Sequence, residues 1–123
     1  MPGASTTYRG GVIAYATDLK VSLLGVPVAL VAEHGVVSAP CAAAMAEGVR
    51  SLTGSTYGLA TTGVAGPDLQ EGRPPGTVFV GVSGPGGTST VALNLGGDRG
   101  AIIERTCHEA LSALADLIRA GSR

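Results

Sequence analysis

Residues 61–80, TTGVAGPDLQEGRPPGTVFV, carry the reading of this chain. A strand-like run of Tyr57, Leu59, Ala60, Thr61 and Thr62 ends at Gly63, and a second begins at Thr77. The loop between them is built on Gly66, Pro67, Gly72, Pro74, Pro75 and Gly76. Glycines let a backbone approach a bound group and turn its N–H groups toward it, while prolines stiffen the same loop. Thr61 and Thr62 stand where strand meets loop, the usual place for binding residues in α/β proteins. A rigid turn between two strands explains the spacing about equally well, because glycine-rich loops recur widely.

Outward from that stretch, punctuation marks the other elements. Residues 10–16, GGVIAYA, read as a strand opening on two glycines. Thr17 reads as the N-cap of a short helix ended by Gly25. Pro27 fits the first turn of a helix over 28–34, closed by Gly35. Ser38 caps a longer helix running to about Leu52 and stopped by Gly54, whose Ala42, Ala43, Met45, Ala46 and Val49 suit tight packing on a sheet. Strands follow at 57–62, 77–83 and 89–95, the last two joined hairpin-fashion by Gly84-Pro85-Gly86-Gly87. Asp98 caps a final helix to about Ala120, with an apolar stripe of Ile103, Cys107, Ala110, Leu111, Leu114, Leu117 and Ile118. Strand, helices, three strands and helix give an α/β class, a three-layer α/β/α sandwich with a mixed sheet. Helices from the middle and end alone leave part of a four-stranded sheet uncovered. The expectation is therefore one domain over 1–123, incomplete at its N-terminus and lacking a first helix and strand.

Composition narrows the class. Apolar residues are 45% of 123 and aromatics only 3%, so Val, Leu, Ile and Ala must form the core. A net charge of −1 without a basic block argues against nucleic acid. No apolar run approaches the roughly 20 residues of a membrane span, and nothing N-terminal reads as a signal peptide, so a cytoplasmic protein is expected. Cys41 and Cys107 are expected as buried helix thiols, with a disulfide or metal pair the minor alternative.

Lys20 is the one lysine, against seven arginines among the eight basic residues. In the first turn of a helix and partly buried, its ammonium would be disfavoured, which is what a general base requires. Tyr15 lies on the strand just before it. A snorkelling surface lysine beside a core tyrosine fits the same spacing, and by spacing alone fits it better. Arg99 follows Gly96-Gly97-Asp98 and suits a phosphate or carboxylate, or is an exposed arginine on a capped helix. His34 reads as a helix-end residue and His108 as a helix-surface residue, without metal-ligand spacing. Asp68 and Glu71 read as solvated loop carboxylates, Tyr8 and Phe79 as packing residues.

Several segments together resemble one family. YRGGVIAYATDLK, LLGV, HGVVSAPCAAAMAEGVR, TTGVAGP, RPPGTVFVGV and GGDR occur in an order similar to the C-terminal domain of the competence-damage-inducible CinA proteins. The resemblance implies an amidohydrolase that converts nicotinamide mononucleotide to nicotinate mononucleotide and ammonia in pyridine-nucleotide salvage. It implies a serine nucleophile and a lysine base, with no metal and no other cofactor. By resemblance, Lys20 activates the nucleophile, Tyr15 and Ser5 support proton transfer, and Thr62 and Arg99 orient the nucleotide beside Gly63 and Gly66. The family's serine stands in a Glu-Ser-Cys-Thr-Gly-Gly motif that these residues do not contain. A mis-called or truncated start just before Pro2-Gly3-Ala4-Ser5 would account for that. The alternative reading is a non-catalytic nucleotide-binding or assembly domain, and a third is a remnant without function. Expected partners are a small nucleotide and further copies of the chain, because a sheet lacking a strand leaves an open edge and bare core. A monodisperse, cooperatively unfolding monomer would contradict the homo-oligomer.

Overall fold

In the computed structural model, residues 7–121 are described. The sheet grows from a hairpin: β2 (Thr77–Gly84) and β3 (Gly87–Asn94) are joined through Pro85-Gly86, and Gly84 faces Gly87 where the ladder closes. β1 (Gly58–Gly63) pairs with the other edge of β2, from Gly58 opposite Ser83 to Gly63 opposite Val78. The order is β1-β2-β3, antiparallel throughout, with β2 central and largely buried on both faces.

Local chemistry sets the helix ends. Ser38 accepts a 3.2 Å hydrogen bond from the Cys41 N–H and starts α3 (Ala39–Thr53), which Gly54 closes in the left-handed conformation. Asp98 accepts from the Ala101 N–H at 2.9 Å and starts α4 (Arg99–Gly121). Two shorter helices, α1 (Thr17–Ser22) and α2 (Val28–His34), precede them, and Gly35 ends α2 at φ 77. Thr17 is the first residue of α1 rather than its cap: Ala16 holds that place, without a side-chain hydrogen bond.

Strand alternation divides the core between two helical layers. Ala60 and Phe79 look toward α3, packing with Cys41, Met45 and Ala46. Leu59, Val80, Val82 and Leu93 look the other way and meet Ala110, Ala113, Leu114 and Leu117 of α4. Helices on both faces of the sheet make the α/β/α layering observed here.

Further expectations need correction. Residues 10–16 form no strand, so the described sheet is antiparallel and not mixed. Val12 and Ala14 pack on the α3-side core, whereas Ile13 and Tyr15 are 85% and 83% exposed. The segment has a strand's alternation but, among the described residues, is not paired with any strand. The stripe of α4 is covered only in part: Leu111 is 62% exposed, Ile103 and Ile118 are also exposed, and Ile102 and Ala110 are the buried positions. The apolar arc is wider than the sheet surface it packs against. Tyr8 is exposed rather than packed, while Phe79 is half-buried under the Arg73 guanidinium, 5.3 Å from its centroid. Among the described residues no helix is long and apolar enough to cross a membrane.

The expectation of two buried thiols holds for Cys41 and fails for Cys107, which is exposed on α4. Burial pushes the Cys41 thiol above its usual value, Lys20 opposes the shift and Glu71 adds to it, so the reactive thiolate is scarce at neutral pH. Iodoacetamide should therefore modify one thiol in the native protein and both in urea. Rapid native labelling of Cys41 would contradict this packing.

Candidate functional site

The expected site residues gather around the extended segment 10–16. Because alternate residues face opposite ways, Ala14 and Tyr15 serve two different groups. On the inner side, Lys20 is 8% exposed, and its Nζ donates to the Ala14 carbonyl at 2.7 Å. The six-residue α1 places Lys20 in its last turn, so burial, and not a helix N-terminus, defines this lysine's setting. On the outer side, Arg99 Nη2 donates to the Tyr15 hydroxyl at 3.2 Å, and Nη1 donates to the Gly66 carbonyl at 3.0 Å. One guanidinium thus ties the start of α4 to the extended segment and to the glycine-rich loop. Gly66 has φ 89, and a Cβ there would stand 2.9 Å from the Pro75 ring, so the turn requires glycine.

Thr62 joins the inner group. Its buried hydroxyl donates to the Val36 carbonyl at 2.7 Å, leaving its lone pairs to accept from a ligand. Gly63 next to it is set by packing, since a Cβ would come within 2.8 Å of the Thr77 carbonyl oxygen. Ser5 lies outside the described residues.

Glu71 departs from its expected role as a solvated carboxylate. Its two oxygens accept from consecutive backbone N–H groups, Oε2 from Val36 at 3.0 Å and Oε1 from Val37 at 2.8 Å. Nothing in the spacing of residues 35 positions apart announces this contact, and only the folded chain brings them together. Inner and outer groups therefore share one region: Lys20, Cys41, Thr62 and Glu71 around the start of α3, and Tyr15, Arg99 and Gly66 at the surface. Two open cavities of about 680 and 630 Å³ lie elsewhere, one by Arg50 and Ser83 and one by Leu24 and Leu30. Neither is lined by Lys20, Tyr15, Thr62 or Arg99.

Residues 1–118 match the CinA C-terminal domain family. A CinA-like protein of Frankia casuarinae is 56% identical over 119 residues, covering 97% of this chain and 27% of the relative. A putative competence-damage inducible protein of Bacillus velezensis is 45% identical over 118 residues, covering 93% and 28%. The chain thus spans less than a third of the length of these curated relatives. Among solved structures, the competence damage-inducible protein A (ComA) of Klebsiella pneumoniae superposes with TM-score 0.92 at 29% identity, over 97% of this chain and 74% of that one. The competence/damage inducible protein CihA of Agrobacterium tumefaciens gives TM-score 0.90 at 28% identity, over 95% and 73%. The match over nearly the whole length, with the α/β/α layers in common, establishes that this chain belongs to the CinA C-terminal domain family.

Proposed function

We propose that this chain supplies the base and the nucleotide-orienting groups of an amidohydrolase acting on nicotinamide mononucleotide, giving nicotinate mononucleotide and ammonia. The observation that carries this reading is the buried Lys20 amine on the Ala14 carbonyl, one residue from the Tyr15 hydroxyl that Arg99 holds. Held by one N–H on the Ala14 carbonyl, the Lys20 amine gives up a proton before it takes one from the hydroxyl, which is how a lysine activates a serine. The serine oxygen then attacks the carboxamide carbon. The carboxamide C–N bond breaks as the ammonium of Lys20 gives the proton to the amide nitrogen, which leaves as ammonia, and water hydrolyses the acyl-serine to the carboxylate. Arg99 has five N–H donors and uses two in the contacts described, which leaves donors for the nucleotide phosphate. Its bond to Gly66 sets the loop against which the nucleotide lies.

The nucleophile in this scheme belongs to the Glu-Ser-Cys-Thr-Gly-Gly motif, which is not among these 123 residues. The test is ammonia release from nicotinamide mononucleotide by this chain alone and by the chain joined to the serine-bearing segment of a family member. Release by the joined form only is the expected result. Release by the chain alone would move the nucleophile inside these residues, with Ser5 the first to substitute. No release from either would overturn hydrolysis and favour a nucleotide-binding domain without catalysis.

A further inference from the structure

The loop between β1 and β2 packs Val64 into the core beside Val36 and Val37 of the turn between α2 and α3, and is hydrogen-bonded to that turn through Glu71. Its tip, Asp68 to Gly72, is exposed, and the hydrogen bonds at Gln70 and Arg73 are internal to the loop. From that tip Glu71 reaches across, placing one carboxylate oxygen on the Val36 N–H and the other on the Val37 N–H. Among the described residues it is the one non-glycine residue with positive φ, at 53°. That conformation is costly for a side-chain-bearing residue and persists where contacts hold it.

The receiving surface is shaped for this carboxylate. At Gly35 a Cβ would fall 2.8 Å from Glu71 Oε1 and 3.0 Å from Oε2, so a residue larger than glycine would expel the group. The Val36 peptide is pinned from the opposite side, where Thr62 donates to its carbonyl. Lys20 adds positive charge to the same neighbourhood, since both Lys20 and Glu71 act electrostatically on Cys41. Two fixed N–H groups near an ammonium favour negative charge, and in this structure the chain supplies that charge itself.

We propose that Glu71 is a latch: its carboxylate holds the β1–β2 loop closed on the Val36 and Val37 N–H groups, and opening of the loop frees that pair for a competing small anion such as phosphate or a carboxylate. Gly66 before the tip and Gly72 at its end, both at positive φ, give it pivots. The latch needs no catalysis, so its test reads no ammonia.

The test is amide hydrogen exchange and amide chemical shift at Val36 and Val37 in the wild-type chain, Glu71→Ala and Glu71→Gln, with inorganic phosphate as the probe. Exchange at both amides should rise on the order of tenfold in Glu71→Ala, with a smaller rise in Glu71→Gln, whose amide keeps one acceptor oxygen. Val80 and Val82 in β2 should keep their protection. Phosphate should shift Val36 and Val37 in Glu71→Ala at concentrations that leave the wild-type signals unmoved. Unchanged exchange in both variants would overturn the latch, as would loss of protection at Val80 and Val82 along with it. Equal phosphate shifts in wild-type and Glu71→Ala protein, or none in either, would overturn the competition.

Discussion

Gly48→Ala should strongly destabilise this protein, although the site lies inside α3, where alanine is the better helix former. Propensity alone favours the change by about 1 kcal/mol. The tertiary contact opposes it, because a Cβ at Gly48 would stand 1.7 Å from the Leu24 carbonyl oxygen and 2.6 Å from its carbon. Both partners are backbone, so no rotamer change relieves the overlap. Either α3 or the buried turn through Leu24 must move, and that turn carries Leu24 and Val26 into the α3-side core. Overpacking of this kind costs on the order of 3 kcal/mol, against a total stability of about 5–15 kcal/mol. A fall of roughly 10 °C in melting temperature is expected. Gly81→Ala should behave similarly, its Cβ falling 2.2 Å from the Ala42 carbonyl oxygen where the sheet meets α3. Gly100→Ala is the control. It also lies in a helix, but its Cβ would meet only Asp98 Oδ1 at 3.6 Å, an ordinary contact. Calorimetry of the three variants should show two large losses and one neutral or stabilising change. An unchanged melting temperature for Gly48→Ala would mean that α3 does not approach the turn this closely.

Lys20→Met should separate catalysis from folding. In the form joined to the serine-bearing segment, turnover should fall on the order of 10³-fold, the scale expected for loss of a general base. Folding should change little. The substitution removes a buried charge, which is favourable, and leaves the Ala14 carbonyl without its donor, which is not, so the net effect should lie within about 1 kcal/mol. Lys20→Arg should also be inactive, because a guanidinium does not give up its proton near neutrality. Ammonia release paired with thermal melting checks both halves. Turnover within tenfold of the parent in Lys20→Met would remove Lys20 from the mechanism, and a collapse of stability would make its role structural.

Arg99 illustrates how much of the site was legible in the sequence. Its place after Gly96-Gly97-Asp98 at a helix start marked it as a candidate, and it does bridge Tyr15 and Gly66. That the bridge runs to those two groups was not legible, since one lies 84 and the other 33 residues away. The helix-start effect expected at Lys20 is missing because the residue stands in the last turn of α1, yet its burial is real. Loop composition predicts solvated carboxylates, which fits the exposed Asp68 and misses a Glu71 that finds two backbone donors.

The sequence by itself determined the ends of the longer elements. Ser38 and Gly54 bracket α3, Asp98 starts α4, Gly35 ends α2, and Gly84-Pro85-Gly86-Gly87 turns the hairpin, because caps and turns are decided by a few neighbouring residues. Only the tertiary structure decided what each element meets. Residues 10–16 alternate like a strand but stay unpaired, α4 buries Ile102 rather than Ile103, and Glu71 rests on Val36 and Val37. Each of these depends on a partner distant in sequence, and hydrophobic periodicity records which residues seek cover without recording what covers them.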